Sequence, residues 1–215
     1  MTESSEHTDG TEPAEDQAQV VQAVDLRAGR CAIVGRPNVG KSTLMNALLG
    51  QKLAIATSRP QTTRNRILGV YTQDEPPTQI GFVDTPGLHR PKNALGRALV
   101  EEAQGALIDS DVILWVIESP TSAAGEPELG TADRQVLELL DEKGPPVVLA
   151  LNKIDRLKDK PALFPWLTYL DQLFPFKALV PLSALKRRGL DPLVNELRKN
   201  LPAGALYEDN EFLTD

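Results

Sequence analysis

Gly35-Arg36-Pro37-Asn38-Val39-Gly40-Lys41-Ser42 sets two glycines five positions apart and follows the second with a lysine and a hydroxyl residue, with Thr43 next. An apolar run, Cys31-Ala32-Ile33-Val34, precedes it, and Ser42 to Leu49 reads as a helix stopped by Gly50. Strand, glycine-rich turn and helix start together form a cradle for phosphate. The glycines let successive N–H groups turn inward on an anion, and the helix N-terminus adds partial positive charge. In such a loop Lys41 reaches the β/γ-phosphates and the Ser42 hydroxyl meets Mg²⁺. The plain alternative is a tight turn between core elements. Alone, the stretch implies a nucleoside triphosphate and no more.

Four further polar clusters could complete such a site. Asp84-Thr85-Pro86-Gly87 ends an apolar run; its carboxylate suits the Mg²⁺ shell, and the Gly87 N–H can approach a terminal phosphate. Asn152-Lys153-Ile154-Asp155 ends another. Guanine presents N1–H and N2–H₂ donors side by side, and one carboxylate accepts from both. Adenine lacks that pair, so a buried Asp155 rejects it. The Lys153 stem can lie along the base, and Asn152 can tie the loops together. Ser183-Ala184-Leu185 would close the base pocket with N–H groups facing O6, and is otherwise a helix-capping turn. In the polar stretch Gln51 to Arg66, Thr62-Thr63 offers a threonine that could close over Mg²⁺ in response to the γ-phosphate. Thr63 is preferred because it directly precedes Arg64.

The elements that must hold these residues alternate. Strands are expected at 31–34, 67–71, 79–83, 111–117, 147–151 and 178–182, the second and third joined as a hairpin through Asp74-Glu75-Pro76-Pro77. Helices are expected at 42–49, 92–108, 131–140 with Thr131 as N-cap, 160–173, and 190–201 with Asp191 as cap and Pro192 in the first turn. This order predicts an α/β fold with a doubly wound, mostly parallel six-stranded sheet and one antiparallel edge strand. Polar clusters just beyond the carboxyl ends of strands lie where ligands bind in such sheets.

Of 215 residues, 41% are hydrophobic, enough for a core. The net charge of −7 is a property of the ends. Residues 1–25 hold seven acids and no Lys or Arg, and residues 26–207 carry a net +4. The first stretch lacks aromatics and is expected to be a disordered, solvating tail. The single cysteine, Cys31, lies in an apolar strand and suits packing in a reducing compartment. No run approaches a membrane span, and the acidic start does not resemble an export signal. Trp115 and Trp166 read as packing residues, His89 and Lys186-Arg187-Arg188 as solvated loop positions. No Cys/His grouping suggests zinc.

Phosphate loop, switch threonine, Asp-Thr-Pro-Gly, Asn-Lys-x-Asp and Ser-Ala stand in the order of the five boxes of small GTPase domains. The strings from Gly35 to Lys52, Ser58 to Gly69 and Asp84 to His89 resemble the Era family of bacterial ribosome-assembly GTPases. The resemblance runs from about residue 28 to 215 and implies a P-loop NTPase G domain at 28–202. Residues 1–27 would be a tail, and 203–215 a linker toward a KH domain. It implies GTP and GDP as ligands with Mg²⁺ on Ser42, Thr63 and Asp84. Lys41, Thr63, Asn38 and Gly87 are the residues it assigns to hydrolysis. It further implies small-subunit (16S rRNA) maturation in the cytoplasm, and peripheral association with the inner membrane. RNA binding in the family belongs to the KH domain, for which residues 186–215 offer neither a GXXG loop nor room. Leu88 takes the position where Ras-like proteins place a water-positioning glutamine, and relatives of this type use K⁺ held partly by the asparagine matching Asn38. Two other classes stay open: a non-catalytic GTP-dependent protein-interaction module, and an adenine-using enzyme.

Overall fold

Cys31 and Ile33 point to one face of a central strand and Ala32 and Val34 to the other, all four buried. That strand is β1 (Arg27–Val34), and its two-sided burial sets the architecture: a sheet covered on both faces. The computed structural model describes residues 25–50, 53–54, 67–84, 105, 107–120, 126–158, 161 and 163–204. Thr62, Thr63, Thr85, Pro86, Gly87, Leu88, His89, residues 1–24 of the expected tail, residues 92–104 of the helix expected over 92–108 and residues 205–215 lie outside them, as do the side chains of Leu53, Ala54, Ile67 and Asp84. The last residues of the expected tail are instead structured: Arg27 opens β1, and Asp25 pairs with Arg27 and with Arg198, each at 2.8 Å.

After β1 come α1 (Lys41–Leu49), β2 (Leu53–Ala54), β3 (Ile67–Gln73), β4 (Thr78–Asp84), β5 (Val112–Glu118), α2 (Thr131–Leu137), β6 (Val147–Asn152), α3 (Leu163–Asp171), β7 (Ala178–Pro181) and α4 (Leu190–Lys199). The sheet order is β2-β3-β4-β1-β5-β6-β7. From β4 through β7 neighbours run parallel, while β3 lies antiparallel to β4. The expected six strands with an antiparallel edge are therefore present, and the two-residue β2 lengthens that edge by pairing with β3. Asp74 to Pro77 forms the turn of the hairpin, whose strands run up to it at Gln73 and Thr78.

The period of two along each buried strand sorts the core into two layers. Val112, Leu114 and Val116 of β5 join α1 and α4 on one face. Ile113, Trp115 and Ile117 join α2 and α3 on the other. Trp115 is fully buried against Phe176 at a ring separation of 5.8 Å, and Trp166 packs edge-on to Tyr169, so both tryptophans are packing residues. Cys31 is inaccessible, and burial pushes its thiol well above the ordinary range.

Two helix starts differ from expectation. Gly130, not Thr131, caps α2; its carbonyl accepts from the N–H groups of Asp133 and Arg134. α2 also ends at Leu137 rather than 140. Gly189, not Asp191, caps α4, because the chain enters at φ 78° with a Cβ position only 2.7 Å from the Pro181 carbonyl oxygen. Asp191 sits in the first turn and favours the helix through its charge. Lys186, Arg187 and Arg188 are exposed in the turn before it. Among the described residues no helix is long and apolar enough to cross a membrane.

Candidate functional site

The buried side of α1 fixes the phosphate loop. Leu44, Met45, Ala47 and Leu48 pack into the core beneath the sheet face, the larger ones each contributing about 1.5–3 kcal/mol. Gly50 ends the helix, its N–H donating to the Asn46 carbonyl at 2.9 Å. The anchored helix holds Lys41 at its first position, directly after the loop.

Within the loop, Gly35 has φ 143°, Asn38 φ 64° and Gly40 φ 102°, so three of six residues adopt backbone unfavourable to side-chain-bearing residues. The two glycines are also sterically required. A Cβ on Gly35 would sit 2.2 Å from the Val116 carbonyl oxygen of β5, and one on Gly40 would sit 2.4 Å from Asn152 Nδ2. Lys41 Nζ donates to the Gly35 carbonyl at 2.6 Å and to the Arg36 carbonyl at 3.0 Å, bringing its charge across the mouth of the loop. Pro37, Asn38, Ser42 and Thr43 are exposed on the rim, and Val39 is buried beneath it.

The base-side cluster is fastened to this loop by two side chains. Asn152, 2% exposed, donates through Nδ2 to the Val39 carbonyl at 2.8 Å. Its Oδ1 accepts from the N–H of Lys153 at 2.8 Å and of Ala184 at 3.0 Å. One amide thus joins the phosphate loop, its own loop and the turn after β7. Lys153, at φ 67°, donates through Nζ to the Asn38 carbonyl at 2.6 Å. Neighbouring residues of one motif therefore hold neighbouring carbonyls of the other.

Asp155 lies in a single 3₁₀ turn, Ile154–Arg156, and accepts a short hydrogen bond from the buried Ser183 hydroxyl. Ser183 Oγ also accepts from the Lys186 N–H at 3.1 Å, which orients it. The Asp155 carboxylate is exposed rather than buried, because the short turn carries it outward from the sheet. Ala184 is buried, and Leu185 stands 70% exposed beside it. On the opposite side, Asp84 ends β4 in register with Ile33, which puts its backbone beside the strand that feeds the phosphate loop.

The structure thus brings together Gly35 to Thr43, Asn152, Lys153, Asp155, Ser183 and Ala184 at the carboxyl ends of β1, β6 and β7, with Asp84 at the end of β4. Sequence reasoning missed Glu118 and Asp133. Glu118 ends β5, in register with Asn152. Its Oε1 meets Lys153 Nζ at 3.1 Å and Arg156 at 3.0 Å, and its Oε2 meets Arg36 at 3.1 Å. Asp133 of α2 pairs with Arg36 Nε at 3.1 Å. Burial raises the Asp133 carboxyl above its ordinary value, against the opposing pull of Arg36. For Glu118 the available signal was position, an acid at the end of an apolar strand as with Asp84, whereas Asp133, inside α2, offered none.

A family model described as "50S ribosome-binding GTPase" matches residues 30–153. GTPase Era of Xylella fastidiosa (strain Temecula1) is 47% identical over 197 residues, covering 91% of this chain and 63% of that protein. GTPase Era of Clostridioides difficile (strain 630) is 43% identical over 88% of this chain and 61% of that protein. The chain thus spans a little over 60% of the length of these curated relatives. Among solved structures, Era in complex with MgGDPNP and nucleotides 1506–1542 of 16S ribosomal RNA superposes with a TM-score of 0.68 at 38% identity, over 86% of this chain and 61% of that one. A point variant of Aquifex aeolicus Era bound to GDP·AlF₄⁻ gives 0.68 at 37% identity, with the same coverage of both chains.

Proposed function

The chain belongs to the 50S ribosome-binding GTPase family, with Era GTPases among its relatives, and from that premise we propose that it binds GTP and hydrolyses it slowly to GDP and phosphate as a molecular switch. The observation that carries this reading is the Asn152 side chain, which locks the phosphate loop to both base-side loops in one hydrogen-bonded unit. Gly35 to Thr43 would receive the phosphates, with Gly40 and Lys41 N–H groups at the start of α1 facing the anion. Asp155, held by Ser183, would accept from guanine N1–H and N2–H₂, the base itself shielding the exposed carboxylate. Asn152, Lys153, Ser183, Ala184 and Leu185 would frame that base.

Ser42 and Asp84 would hold Mg²⁺ through hard oxygen ligands: the Ser42 hydroxyl is exposed in the first turn of α1, and Asp84 ends the neighbouring strand. Thr63 and the Asp84–Gly87 turn would join them. A bound Mg²⁺ would supply charge compensation at the β/γ-phosphates. Lys41 would stabilise the charge that develops there, and loop amides would do the same, with no side chain acting as general base. In the cytoplasm, the output by family reading is small-subunit maturation. By the resemblance, contact with small-subunit rRNA would fall to a KH domain beyond the expected linker at 203–215, and this chain spans a little over 60% of the length of its curated relatives.

Competition with labelled GTP tests the base assignment. Unlabelled GTP and GDP are expected to displace it, and ATP to fail even at about 10³-fold higher concentration, because an unpaired Asp155 rejects adenine. Displacement by ATP at similar concentrations would remove guanine specificity. Asn38 is proposed to help hold K⁺ near the phosphates, as its exposed side chain on the rim allows. Hydrolysis is then expected to be several-fold faster in K⁺ than in Na⁺, a difference an Asn38→Ala variant loses. Equal rates in the two salts would dispose of that role.

A further inference from the structure

Three cationic side chains converge on one carboxylate at the end of the central strand β5. Glu118 Oε1 receives Lys153 and Arg156, while Oε2 receives Arg36. These cations come from different functional segments. Lys153 belongs to the base-side motif and also grips the Asn38 carbonyl, and Arg36 is the second residue of the phosphate loop. Arg36 is shared in turn with Asp133 at the start of α2, whose Oδ1 is buried without a hydrogen-bond partner among the described residues. With four-fifths of its side chain shielded from solvent, Glu118 interacts in a medium where charge pairs are screened less than at an open surface. Burial alone would raise its carboxyl, but the hydrogen bond and charge of Lys153 and the pairing with Arg36 outweigh it and leave it below the ordinary range.

We propose that Glu118 is a positioning residue for nucleotide binding: its two oxygens hold Lys153 and Arg36 so that the base-side loop and the phosphate loop are presented as one preformed surface. It touches no nucleotide atom in this scheme and acts only through those two side chains. Without its charge, Lys153 and Arg156 lose their carboxylate and Arg36 keeps only Asp133, so the two loops are held together by Asn152 and the Lys153–Asn38 bond alone. The part of the nucleotide common to GTP and GDP lies over these loops, so affinity for both falls together and the chemical step stays as it was.

This inference rests on the guanine-nucleotide reading above. The test uses the full chain and measures dissociation constants for GDP and a non-hydrolysable GTP analogue, steady-state kcat and KM, and thermal midpoints. E118Q is expected to weaken both nucleotides roughly tenfold, as loss of a half-buried, multiply paired charge does, with kcat within about twofold of the unaltered chain. R36Q weakens both less, and the loss in E118Q with R36Q is smaller than the product of the two single losses, because the variants share the Glu118–Arg36 contact. Affinities within twofold of the unaltered chain, losses that multiply in the double variant, or a kcat that falls at unchanged affinity would each overturn the assignment. If E118Q fails to fold, E118D, which keeps the charge but draws it back from Lys153 and Arg36, decides: a several-fold loss for both nucleotides at unchanged kcat supports the proposal and none overturns it. Absence of GTP and GDP binding by the unaltered chain would instead sink the underlying reading.

Discussion

Replacing Asn152 with Ala is expected to lower stability by about 3 kcal/mol, since a buried donor or acceptor left unpaired costs about 1–3 kcal/mol. The Val39 carbonyl loses its donor, and the Ala184 N–H loses its acceptor, both beneath residues that water does not reach. For a domain of this size that corresponds to a fall of roughly 6–12 °C in thermal midpoint. Guanine-nucleotide affinity falls with it by about 100-fold or more, because three loops must be ordered at the moment of binding. Asn152→Asp gives a sharper comparison: it keeps both acceptor bonds but turns a carboxylate toward the Val39 carbonyl. Thermal unfolding and nucleotide titration of the two variants check this. A midpoint within 2 °C of the parent for Asn152→Ala would show that the loops need no such tie.

Lys41→Ala is expected to slow hydrolysis by about 10²–10³ while leaving the fold in place. The Lys41 ammonium stands over the Gly35 and Arg36 carbonyls, the position from which it can face the phosphates. Removing a preorganised charge of this kind costs about 10²–10³ in rate, as loss of one oxyanion donor does. The core side of α1 is untouched, so the helix keeps its anchorage through Leu44, Met45 and Leu48. Single-turnover phosphate release measures the effect. Release by the parent that slows by that factor in Lys41→Ala supports the switch. No release by the parent, despite tight GTP binding, favours a non-catalytic interaction module instead.

What the sequence made legible was whatever backbone geometry or base chemistry restricts to few residue types. Gly35 and Gly40 can be read without coordinates because positive φ and contacts near 2.2–2.4 Å exclude any side chain. Asn152 can be read because a buried amide with one donor bond and two acceptor bonds has no substitute. The buried strands declare themselves as apolar runs. Less visible were features that depend on which segments meet. That Arg36 reaches Glu118 and Asp133, 82 and 97 residues away, follows from sheet order and not from local spacing. The caps at Gly130 and Gly189 were hidden behind Thr131 and Asp191, better capping residues by type but placed one or two positions inside the helix. Asp155 was expected to be buried, yet the brevity of its 3₁₀ turn leaves it at the surface.

The paired grip of Asn152 on Val39 and of Lys153 on Asn38 has a mechanical meaning. β5 lies between β1 and β6, so these two bonds arch over a whole strand and join the loops of its neighbours. A bridge with two adjacent piers resists rotation as well as separation. The base-side and phosphate loops are therefore coupled as one unit, in the manner of a cooperative opening segment.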